Sequence, residues 1–285
     1  MRFLVLGASG MAGHLISLYL KERGNDVTGF SRRGAPFLDS QILGDARDVD
    51  LLADSVASGR YDIVINCVGV LNRAAETNPD AAWLNGVLPH ALAHMTEGVS
   101  TRVFHMSTDC VFAGNTGPYT EDSVPDGQSA YDRTKAEGEL KDGKNLTFRN
   151  SIVGPDMSPK GIGLLNWFMR QSGPINGFTG AIWTGLTTLE LAKAMEREAS
   201  EDAAGIVNMV PEGSISKYDL LQLFNRELRD RSVEIEPDAG LQLDKTLLRT
   251  NYEPTYRPKP YPEQVREMAE WIRAHRKLYP HYEVM

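Results

Sequence analysis

The N-terminal stretch constrains this chain more than any other part of it. Arg2 to Leu6 is a short apolar run suited to a strand buried on both faces, and Gly7-Ala8-Ser9-Gly10-Met11-Ala12-Gly13 follows at once. Across residues 11–23 apolar side chains recur at helical spacing until Gly24 supplies a stop. Strand, glycine turn and helix in that order predict a βα unit whose unpaired helix N–H groups face the end of the strand, which is a ready site for a phosphate. The spelling is Gly-x-x-Gly-x-x-Gly rather than the common Gly-x-Gly-x-x-Gly, so its place between strand and helix weighs more than its letters.

The alternation continues. Residues 26–30, 63–68, 103–106 and 146–152 read as strands, and residues 49–58, 83–95 and 129–140 read as helices between them. Parallel strands joined by crossover helices follow, an α/β fold of the Rossmann type with a doubly wound sheet. From Gly154 onward Pro155, Pro159, Gly161, Gly163, Gly173, Pro174, Gly177 and Gly180 punctuate the chain. The expected organisation is a dinucleotide-binding domain over 1–153, a returning segment at about 186–204, and a smaller C-terminal substrate-binding lobe over 154–285 built from loops and short elements. Helices over 189–199, 217–229 and 263–277 and a strand over 205–210 are expected to flank that lobe.

Composition narrows the function classes. A net charge of -8 disfavours a general nucleic-acid binder, which needs a basic face to displace counterions, so anions must be met by local cations and backbone N–H groups. The two cysteines, Cys67 and Cys110, lie in apolar runs and read as free thiols of a reducing, cytoplasmic compartment. The apolar run before Gly7 is too short for a signal-peptide core or a membrane span, so no membrane association is expected.

Gly7, Ser9, Gly10, Met11 and Gly13 are therefore the expected pyrophosphate turn, with Val68 and Gly69 at the end of the 63–68 strand beside it. A site for NAD would want an acid at the end of the second strand. Ser31, Arg32 and Arg33 stand there instead, a hydroxyl and two guanidinium groups that suit a 2'-phosphate, so NADP(H) is expected in preference to NAD(H). Asp45, after the third strand, could accept from the adenine amino group.

Tyr131 and Lys135 share one face of a helix at i,i+4 spacing. An ordinary tyrosine, with a pKa of about 10, keeps its proton at neutral pH, and lowering it by roughly two to three units takes about 3 to 4 kcal/mol; a nearby ammonium supplies part of that. Ser107-Thr108-Asp109 lies just past a core strand, a loop's length upstream, where a hydroxyl can bind a carbonyl oxygen. His90 and His94 have the spacing of zinc ligands, but no third ligand accompanies them and Trp83, Leu88 and Leu92 explain the helix by packing, so no metal is expected.

With Ser107-Thr108-Asp109-Cys110-Val111-Phe112, Gly117-Pro118-Tyr119-Thr120-Glu121, Tyr131 to Lys135, Gly138-Glu139 and Arg149-x-Ser151, the chain resembles the extended short-chain dehydrogenase/reductases, and within them the dTDP-4-dehydrorhamnose reductase family. The resemblance implies Thr108, Tyr131 and Lys135 as the catalytic trio, Asn85 as a structural asparagine, and NADPH-dependent reduction of the C4 ketone of a nucleotide-linked 6-deoxy sugar. It implies a nucleotide-diphosphate sugar as the partner and leaves a homodimer open. Related dehydratases carry glutamate where this chain has Cys110, a poor general acid, which disfavours elimination of water. A nucleotide-sugar epimerase and a non-catalytic NADP-binding regulatory subunit are the alternatives. Asp109, Arg149, Trp183 and Arg257 are the substrate-binding candidates, with Lys160, Arg170, Arg249 and Trp167 as further cations and a stacking surface. The chain departs from the family pattern at Ile152, Arg73 and Gly185-Leu186-Thr187-Thr188, which leaves the sugar open.

Overall fold

Phe3, Leu4, Val5 and Leu6 are all without solvent exposure, so β1 (Arg2–Leu6) is covered on both faces, as a central parallel strand must be. The structure is a computed structural model that describes residues 1–282. In chain order its first half runs on through α1 (Met11–Glu22), β2 (Asp26–Ser31), β3 (Ser40–Leu43), α2 (Val49–Ser58), β4 (Ile63–Asn66) and α3 (Ala74–Thr77). A π-helical turn over Ala82–Val87 then leads into α4 (Leu88–Met95), followed by β5 (Arg102–Met106), α5 (Ala130–Glu137) and β6 (Leu146–Arg149).

The second half contains β7 (Ile152–Val153), α6 (Leu164–Met169), β8 (Ile175–Trp183), β9 (Leu186–Thr187), α7 (Thr188–Ala199) and β10 (Gly205–Asn208). It closes with β11 (Ile215–Ser216), α8 (Lys217–Leu228), β12 (Ile235–Asp244) and α9 (Tyr261–Ala274).

Seven parallel strands form the main sheet in the order β10-β6-β5-β4-β1-β2-β3, so the fold is the doubly wound α/β sheet expected. Helices cover both faces. Leu15, Ile16 and Leu20 of α1 share one cluster with Leu191 and Met195 of α7 and Met268 of α9, whereas Leu52 and Val56 of α2 and Leu88 and Leu92 of α4 close the other face over Leu4, Leu6 and Val64. Each fully buried leucine of this kind contributes about 1.5–3 kcal/mol relative to exposure. The order of strands reverses between β1 and β4, and the crevice at their carboxyl ends is where a doubly wound sheet binds ligands.

Three features differ from expectation. The chain leaves the sheet at Arg149, three residues before the predicted strand end, because Ile152 and Val153 pair with β9 instead. The C-terminal lobe is more regular than loops: β8 and β12 are long parallel partners in a second sheet, with β11 antiparallel to β8. Gly177, which reads as a breaker, sits inside β8 because a Cβ there would stand 2.9 Å from Tyr218 Cα of α8; the glycine permits close approach of a helix. The returning segment also extends past 186–204, since β10 pairs with β6 as the sheet's edge.

Candidate functional site

The glycine turn lies at the β1/β4 crevice. Gly7 has φ +78 and a Cβ there would be 3.1 Å from the Cys67 carbonyl, while Gly10 caps α1 without a side chain, leaving the first N–H groups of the helix open. Gly13 works differently from its neighbours: a Cβ on it would fall 2.2 Å from the Gly7 oxygen, so it lets α1 pack on the turn and does not line the cleft. A space of about 570 Å³ opens here, lined by Gly7, Ser9, Gly10, Met11, Ser31, Arg32, Arg33, Asp45, Val68, Gly69 and Lys160. Arg32 and Arg33 are exposed and their guanidinium groups make no hydrogen bond or ion pair among the described residues. Asp45 is gripped by Arg47 through two bonds of 3.0 and 2.9 Å, and that guanidinium holds its carboxyl below the usual range.

The same cleft continues across Gly10, Met11, Cys67, Val68 and Gly69 into a second space of about 420 Å³, whose wall carries Thr108, Cys110, Tyr131, Lys135, Asn150, Ser151, Asp156 and Lys217. A capping box sets the start of α5: Ser129 Oγ accepts from Asp132 N–H and Asp132 Oδ2 from Ser129 N–H, each at 3.1 Å. Tyr131 and Lys135 then face the cleft one turn apart. Asn85 anchors this helix to the strand end, its Oδ1 accepting from Val70 N–H at 2.8 Å and its Nδ2 donating to Thr134 Oγ1 at 3.1 Å. Thr108 begins the short turn after β5; its hydroxyl donates to Asp109 Oδ1 and accepts from Cys110 N–H, both at 3.1 Å.

Burial dominates the electrostatics. It pushes the Tyr131 phenol up, with Cys110 adding to the rise and the Thr108 hydroxyl opposing it. It lowers the Lys135 amine to about 8, with Glu139 and Cys67 pulling the other way. Cys110 is pushed up to about 12 by burial and by Asp109, so its thiol keeps its proton. A neutral phenol and a titrating amine therefore share one wall.

Thr108, Tyr131 and Lys135 are brought together; the four expected substrate ligands are not. Arg149 is 1 % exposed and locked on Glu139, Nε to Oε1 at 2.7 Å and Nη2 to Oε2 at 2.6 Å, so its charge is already matched and it faces the core. Arg257 donates to the carbonyls of Pro254 and Tyr256, and Arg249 likewise holds the 251–256 loop; neither lines the cleft. Trp183 is buried behind the wall, with the Lys217 amine 4.5 Å above its ring. Asp109 points inward to Thr108, and burial raises its carboxyl above the usual range. Arg170 bonds the Pro159 carbonyl, and Trp167 lies outside the cleft. His90 Nε2 donates to the Glu137 carbonyl, 2.8 Å away, and His94 pairs with Glu97 on the surface.

Lys217 was not anticipated. It is the first residue of α8, where the helix dipole disfavours a cation, and that misplacement is the signal sequence offers. Its amine makes no hydrogen bond among the described residues, and burial lowers it to about 8, with Asp109 and Cys110 opposing. His105, a histidine inside the apolar β5, was missed as well.

A family model described as the RmlD substrate binding domain matches residues 1–149. The chain belongs to that family. It is 34% identical over 147 residues to methionine adenosyltransferase 2 subunit beta of Xenopus tropicalis, a match covering 48% of this chain and 41% of that protein, so it spans under half of that relative's length. It is 27% identical over 253 residues to dTDP-4-dehydrorhamnose reductase of Escherichia coli, covering 82% of this chain and 81% of that one. The structure of dTDP-4-dehydrorhamnose reductase from Bacillus anthracis in complex with NADP superposes with a TM-score of 0.78 at 18% identity, over 94% of this chain and 98% of that chain, a likeness of fold. No helix among the described residues is long and apolar enough to cross a membrane.

Proposed function

We propose that this member of the RmlD substrate binding domain family is an NADPH-dependent reductase acting on the C4 ketone of a nucleotide-linked 6-deoxy sugar. The observation that carries the reading is a single cleft with an uncapped helix N-terminus and two unpaired guanidinium groups at one end and Thr108, Tyr131 and Lys135 on the wall of the other. The residues fit such a coenzyme: Gly7, Ala8 and Gly10 spend their N–H groups on the Phe30 and Gly7 carbonyls, which leaves those of Ser9 and Met11 for a pyrophosphate, and Arg32 and Arg33, with Ser31, suit a 2'-phosphate. NAD(H) lacks the group those arginines would hold. The likeness to the Escherichia coli reductase over most of both chains supports the substrate class.

When bound, NADPH supplies the hydride. Thr108 offers a hydroxyl that orients the carbonyl oxygen, and Tyr131 Oη gives up its proton as negative charge gathers on that oxygen. Its raised pKa keeps the phenol protonated until then. Lys135 sits one helical turn away, where its charge favours the phenolate left behind and its N–H groups can bind the coenzyme ribose. Lys217, across the same space and without an acceptor of its own, is placed to take an oxygen of the sugar. Cys110, a protonated thiol where dehydratases carry an acid, leaves carbonyl reduction as the chemistry of the site.

Loss of NADPH absorbance with dTDP-4-dehydro-6-deoxy sugars tests the reading, and a flat trace with every such sugar overturns it. Tyr131→Phe should lower kcat by roughly 100- to 10,000-fold while NADPH still binds. The match to methionine adenosyltransferase 2 subunit beta favours a second reading, a regulatory subunit that binds dinucleotide without turnover. On that reading Tyr131→Phe changes nothing measurable.

A further inference from the structure

His105 stands in the middle of β5 with no solvent exposure and both ring nitrogens engaged. The chain that holds it begins at a group with one role. The Val68 backbone N–H can only donate, and it donates to Asn66 Oδ1 at 3.1 Å. That turns the Asn66 amide so that Nδ2 faces His105 Nδ1 at 3.3 Å, and only a bare ring nitrogen accepts it. Burial holds His105 well below its ordinary value, with Lys135 adding to the effect, so the ring is neutral and its one proton is left on Nε2. Nε2 lies 3.3 Å from Lys135 Nζ. An ammonium there sets donor against donor, whereas a neutral amine accepts the Nε2–H with its lone pair and still donates to the Met106 carbonyl at 2.5 Å.

We infer that Asn66 and His105 are positioning residues that offer Lys135 a hydrogen bond only its neutral form can accept, so that the relay from Val68 favours the neutral amine in addition to what burial does. The other groups around the amine do not select between its two forms in this way. Cys67, at the end of β4, is pushed up to about 12 by burial and stays a neutral thiol; Glu139, beyond the end of α5, is engaged by Arg149; and Tyr131, one turn earlier, is a neutral phenol. The consequence for turnover rests on the reductase reading: ammonium at Lys135 supports proton loss from Tyr131, so activity should fall on the alkaline side as Lys135 gives up its charge.

Two variants test the relay. Asn66→Asp still accepts from Val68 N–H but turns the donor facing His105 into an acceptor, which moves the ring proton to Nδ1 and leaves Nε2 free to accept from an ammonium. His105→Phe removes the ring's polar edge in a similar volume. In both, the alkaline limb of kcat/KM against pH should move up by about one pH unit. Imidazole ¹⁵N shifts of the ligand-free protein should report Nε2–H in the unmodified chain and Nδ1–H in Asn66→Asp. A limb that stays put in both variants, including one that drops uniformly at every pH, overturns the inference, as does an Nδ1–H tautomer in the unmodified chain. If no sugar is reduced, the functional reading falls alone and the ¹⁵N shifts still decide the relay.

Discussion

Arg149→Met separates a structural guanidinium from a substrate ligand. The Arg149–Glu139 pair is buried, with side chains 1% and 0% exposed, and the methionine would keep much of the aliphatic stem while losing the guanidinium that lies 5.2 Å from the centre of the Phe112 ring. Glu139 would be left with the Ser107 hydroxyl, which donates to Oε1 at 2.7 Å, as its remaining side-chain donor. Removing one partner of a buried pair costs about 3–5 kcal/mol, because the surviving carboxylate stays desolvated and loses the guanidinium bonded to both its oxygens. At about 2.1 cal/mol/K per residue the unfolding entropy of the 285-residue chain is roughly 0.6 kcal/mol/K, so Tm should fall by about 5–8 °C. Urea unfolding measures the free energy and a thermal scan the temperature. The double variant Glu139→Leu with Arg149→Met should regain most of the loss, since no lone charge then remains. A single-variant cost under about 1 kcal/mol, together with a raised KM for the sugar, would refute the reasoning and return Arg149 to the substrate.

Three further outcomes follow from the same geometry. Lys217→Met should raise KM for the sugar with little change in NADPH affinity; and because burial lowers the amine from 10.5 to about 8, the folded chain holds fewer protons than the unfolded one between those values, so stability rises with pH across that window and the variant should flatten the rise in urea unfolding. Arg32→Ala combined with Arg33→Ala should cut kcat/KM for NADPH by about 10- to 100-fold and leave the NADH value nearly unchanged, as expected for losing charge-assisted bonds to one phosphate. Gly13→Ala would press a methyl into the Gly7 carbonyl 2.2 Å away, where backbone meets backbone, and should weaken NADPH binding at least about tenfold in a fluorescence titration or lower Tm outright.

The half of the site that was legible is written in local signals. Gly7 to Gly13, Ser31 to Arg33 and Tyr131 to Lys135 each act through neighbours a few residues away, so a strand end, a helix start or one helical turn is enough to aim them. Arg149 shows why the substrate side resisted. A guanidinium reads the same whether it awaits a phosphate or already grips a carboxylate, and the deciding partner, Glu139, declares itself only when β6 is laid against the end of α5. Trp183 and Lys217 are likewise assembled by the pairing of β8 with β11, a contact between distant segments that glycines in β8 disguised as loop.

Those distant residues still leave a trace of another kind. Lys217 stands at the end of a helix where the dipole repels a cation, and His105 stands in a strand covered on both faces, where an ionisable ring must be satisfied or neutral. The Trp183 ring under Lys217 and the two partners of the His105 ring offset part of the cost of these placements. Both side chains lie within reach of the same small space, one on its wall and one directly behind Lys135. On the proposed reductase reading, the factor common to both placements is the chemistry at Tyr131. On that reading, departures from propensity mark the proposed substrate side of this cleft where motifs do not, and they point to Lys217 and His105 without help from any long-range contact.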